Sequence, residues 1–80
     1  MLHAYVLIEF DPGAPDVPER VRAHSLGMCK QTLLGSPIPG ELIVHLAAEE
    51  GPYMNEATVS LASQVEGVSR LTVLRIAGAS

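Results

Sequence analysis

Three histidines, one cysteine and a few carboxylates are the residues of this chain with chemistry beyond folding it. His45 sits inside the apolar run Glu41 to Ala48, where an imidazole can act as a base, as a pH switch, or as a hydrogen-bonding group across a subunit boundary. His24, Met28 and Cys29 form the one cluster of soft-metal ligands. With one thiol in the cluster, metal binding is not expected, and Cys29 is expected to be a partly buried structural residue, with no metal and no cofactor. Sequence spacing assembles no nucleophile-base-acid set around His45, and there is no phosphate loop, so no enzyme is expected. The best candidate for a small-molecule contact is Gly40-Glu41 at the mouth of a hairpin, where exposed backbone N–H groups and one carboxylate can hold an amino or carboxyl group.

These residues need strands and helices to position them. His3 to Phe10 is rich in β-formers and ends at Asp11-Pro12-Gly13, which predicts a first strand. Ala4, Val6, Ile8 and Phe10 share one face, and His3, Tyr5, Leu7 and Glu9 share the other. Asp16 can cap a short helix beginning at Val17-Pro18, with Val17, Val21 and Leu26 facing the core. Met28 to Leu34 predicts a second strand, and Gly35 to Gly40 a loop stiffened by two prolines. Glu41 to Ala48 alternates Leu42, Val44 and Leu46 against Ile43, His45 and Ala47, so both faces of that strand are largely apolar. Gly51-Pro52 opens a second helix with Met54, Ala57, Thr58, Leu61 and Val65 on one stripe. Gly67 and Val68 fit a Schellman stop, and Ser69 to Ile76 predicts the last strand. The order is β-α-β-β-α-β, a ferredoxin-like α+β sandwich with an antiparallel sheet and two helices on one face, filling residues 1–80 as a single domain.

Composition narrows the functional classes. Five Lys+Arg against nine Asp+Glu give a net charge of −4, with no basic cluster, so direct nucleic-acid binding is not expected. No apolar run reaches the roughly 20 residues of a membrane-spanning helix, and the start lacks the basic region and cleavage site of a signal peptide. With one cysteine, a cytoplasmic location is expected. Hydrophobic residues make up 48% of the chain and the mean hydropathy is +0.27, which is more apolar surface than a domain of this size can hide alone. A second copy is the expected cover, through Tyr5, Leu7, Ile43, His45, Val73 and Arg75.

Three strings carry a resemblance. Ala4 to Gly13, Gly40 to Val44, and Val65 to Ile76 together resemble the effector-sensing (RAM) domain of Lrp/AsnC-type regulators in stand-alone form. That resemblance implies dimers joined through their sheets, often assembled into rings, and an amino acid held between subunits. It maps the effector site onto Gly40, Glu41 and Thr72, and routes any effect on transcription through a DNA-binding partner protein. The chain departs from the family at Leu42, where an acidic residue is common, and in the Ser36-Pro37-Ile38-Pro39 insert. Pro39 to Val44, Ala48 to Glu50 and Val65 to Val68 also look like the NapD-type chaperone of periplasmic nitrate reductase assembly, which implies a twin-arginine signal peptide as partner. A small cofactor-free dimeric enzyme of the same topology is the third alternative, with His45 as its base.

Overall fold

The computed structural model describes residues 1–14 and 16–78, and the side chain of Arg75 lies outside the described residues. Six elements follow in order: β1 (Leu2–Phe10), α1 (Val17–Ala23), β2 (Cys29–Gly35), β3 (Glu41–Ala48), α2 (Gly51–Gln64) and β4 (Val68–Gly78). The strands form one sheet in the order β2-β3-β1-β4, and every neighbouring pair is antiparallel. Both helices pack on one face, which makes this a ferredoxin-like α+β sandwich. Among the described residues no helix is long and apolar enough to cross a membrane.

Alternation explains which face is covered. Ala4, Val6, Ile8 and Phe10 of β1 and Leu42, Val44, Leu46 and Ala48 of β3 are buried together under Val17 and Val21 of α1 and Met54, Ala57 and Leu61 of α2. The β1–β3 ladder runs unbroken from Leu2↔Ala48 to Glu9↔Glu41, so the two central strands share one register throughout. The edge strands are less regular. β4 carries an extra residue at Ser69 and another at Leu74, and β2 carries one at Leu34.

The helix ends differ from their sequence-based expectations. Asp16 makes no side-chain cap; its carboxylate pairs instead with Arg20, 2.6 Å away and one turn on. The C-terminal carbonyls of α1 are met from across the fold by Gln31 of β2, whose Nε2 donates to Val21 at 2.7 Å and His24 at 3.1 Å. After α2 there is no Schellman motif. Val65 is already extended and the Val68 N–H turns back to the Val65 carbonyl at 3.4 Å, with Gly67 at φ +98°. A Cβ on Gly67 would stand 2.6 Å from Val17 Cγ2, so glycine is needed there both for its dihedral and for close contact with α1.

Candidate functional site

Four strands and two helices leave the second face of the sheet without a cover, and most of the chemically distinctive side chains stand on it. Register sorts them into rows across the strands. At one end lie Glu41, Glu9 and Arg70; next come Ile43, Leu7 and Thr72; then Thr32, His45 and Tyr5; and at the far end Lys30, Ala47, His3 and Ala77. Among the described side chains the middle rows carry no carboxylate or ammonium group, whereas both ends do; Arg75 joins the third row by register, opposite Tyr5. Leu7 and Ile43 are half-buried even in the single chain, and Tyr5 is exposed.

His3 and His45 meet diagonally across β1 and β3, with His3 Nδ1 2.9 Å from His45 Nε2. Their centroids are 5.1 Å apart and their planes differ by 21°. That separation is close to the N···N distance plus the two ring radii, so the imidazoles meet edge to edge and do not stack face to face. The facing lone pairs therefore share one proton in a hydrogen bond, whereas chelation would require both to converge on a third point. Among the described residues no group of three or more His, Cys, Asp or Glu side chains is placed to hold a metal. Tyr5 lies against His45 with ring centroids 5.3 Å apart.

The expected site residues are divided by the fold. Gly40 is buried, not open: its φ is +87°, its carbonyl accepts from the Phe10 N–H at 2.8 Å, and a Cβ there would sit 2.8 Å from the Phe10 carbonyl oxygen. The Glu41 N–H donates to the Ile38 carbonyl at 3.1 Å, so it is not a free anchor for a ligand. Glu41 and Thr72 both stand on the open face but on strands separated by β1. Tyr5, Leu7, Ile43 and His45 do share that face. Val73 does not: it pairs with Val6 on the helix side, where it borders a cleft of about 260 Å³ with Leu2, Met54, Thr58 and Ile76. The extra residue at Leu74 accounts for the difference, because it resets the alternation and brings the Arg75 backbone opposite Tyr5. The Arg75 side chain lies outside the described residues.

The soft-metal cluster is dispersed. His24 Nε2 lies 2.6 Å from Ser60 Oγ, Met28 is exposed in the turn before β2, and Cys29 is buried as a free thiol. Burial pushes the Cys29 thiol above its ordinary value, and a backbone hydrogen bond from Ala47 opposes it without cancelling it. The His24–Ser60 pair had no signal in the sequence, its members being 36 positions apart with no motif around either. Ser60 and Gln64 line an open hollow of about 470 Å³, but the Ser60 hydroxyl also lies 3.1 Å from Gln64 Oε1. Ser60 donates its one proton to Gln64 and can accept from His24 Nε2–H, so it ties α2 to the end of α1.

Compared with protein-family models, curated proteins and solved structures, the chain gives no match.

Proposed function

We propose that this chain is a non-enzymatic regulatory domain of the cytoplasm that works as a homodimer or larger homo-oligomer and holds a small ligand, an amino acid, at the boundary between copies. The observation that carries this reading is the uncovered sheet face, whose centre joins Leu7, Ile43 and Tyr5 while polar groups stand at its ends. Glu41 and Thr72 stand on that face on either side of β1, so a second copy laid over it would cover both. Gly40 supports this site by locking the hairpin onto Phe10. With net charge −4 and no basic cluster in these 80 residues, this domain would act on transcription through a DNA-binding partner protein.

Light scattering at micromolar concentration, with and without pooled amino acids, tests the reading. A dimer or ring whose mass or stability responds to one pool is the expected result. A ligand-indifferent monomer overturns it and favours the chaperone alternative, for which the acidic chain suits a basic twin-arginine peptide and titration with that peptide is decisive. Turnover lost on His45→Ala would instead favour the enzyme alternative.

A further inference from the structure

The open face is polarised along its strands. Glu9 and Glu41 carry two carboxylates at one end, offset only by Arg70, whose guanidinium lies 3.8 Å from Glu9 and is largely exposed. Lys30 and His3 occupy the other end, with His45, hydrogen-bonded to His3, one row in. Glu9 and His3 are six residues apart on β1, about 20 Å at the rise of an antiparallel strand.

For two such faces stacked with their strands aligned, a two-fold axis runs either along the strands or across them. With the axis along the strands and between β1 and β3, every row meets itself with the strand order reversed, which sets Glu9 over Glu41 and gathers the four carboxylates of two copies at one end. With the axis across the strands, the first row meets the last and the two middle rows meet each other. Glu9 then faces His3, Glu41 lies beside Lys30, Leu7 covers Tyr5 and Ile43 covers His45. Like charges cost free energy in the first arrangement and are separated in the second.

We infer that the surface opposite the helices is the contact for a second copy of this chain, with the strands of the two sheets antiparallel, so that Glu9 of one copy meets His3 of the other and Glu41 comes beside Lys30. This rests on the dimer reading above and goes beyond it by fixing the register. The histidine pair has a place in it. When His3 Nε2–H donates outward to the opposing Glu9 carboxylate, His3 Nδ1 is left to accept from His45 Nε2–H, and the 2.9 Å bond holds the His3 ring in the orientation the contact needs.

A double-mutant cycle on the full chain tests the register, reading the dimer dissociation constant by analytical ultracentrifugation and the fold by far-UV circular dichroism. Glu9→Lys alone should weaken the dimer about tenfold, and His3→Glu added in the same chain should recover most of that loss. Because the two positions are about 20 Å apart within one chain, coupling of this size has only an intermolecular source. A second cycle, Glu41→Lys with Lys30→Glu, should behave alike and covers the case in which one pair disturbs folding. A wild-type dimer with additive effects in both cycles overturns the register and leaves the dimer standing. A wild-type monomer overturns the dimer reading and the register with it.

Discussion

One sheet in this protein has two apolar faces, and they are apolar in different ways. Under the helices, β1 and β3 contribute only aliphatic and aromatic side chains, and among the described residues that core includes no buried polar or charged group. On the open side the same two strands contribute Leu7 and Ile43 but also Tyr5, His3, His45, Glu9 and Glu41. Water exclusion alone places no demand on direction, so the covered face can be filled by shape. Hydrogen-bonding and charged groups around an apolar centre do demand direction, and that mixture suits a surface meant to meet another in one orientation.

Neighbouring residues of β3 give the sharpest way to break this contrast. Val44→Asp places a carboxylate in the covered core and should cost about 3–5 kcal/mol, enough to unfold most of a domain this small, as read by urea denaturation. Ile43→Asp, one position away, should leave the circular dichroism spectrum intact and dissociate the assembly by light scattering. A variant that stayed dimeric would remove the open face from the interface. Next in size is Gly67→Ala, which forces a side chain into φ +98° and against Val17, and should cost about 1–3 kcal/mol without changing assembly.

The smallest effect concerns Cys29 on the covered face. Its folded-state thiol titrates above the unfolded one, so its contribution to stability is complete below the unfolded value and is lost as pH rises through the folded one. Urea midpoints for the wild type and Cys29→Ala should differ by a constant amount at neutral pH. The gap should narrow above about pH 9, where only the wild type has this thiol to ionise.

Period-two alternation made both faces of β1 and β3 legible in the sequence, and Glu41–Ala48 has the bounds its apolar run predicts. Glycine and proline marked where α2 begins and ends to within a residue or two. Val73 was misplaced because a bulge belongs to a pair of strands, and nothing in Thr72-Val73-Leu74 announces it. Gly40 and Gln31 escaped for a related reason. One is buried by Phe10 and Pro12 and the other caps a helix ten residues back, so each depends on a partner that only the folded topology brings near.

All three ladder irregularities put their extra residue in β2 or β4, the strands at the rims of the sheet, and none falls between β1 and β3. Each interrupts the even spacing of outward amides that a stray strand would need in order to dock edge-on, and strengthens the local twist. The rims are thereby made poor templates for fibrous growth. A chain with one sticky face can then meet its own kind through that face without also polymerising sideways.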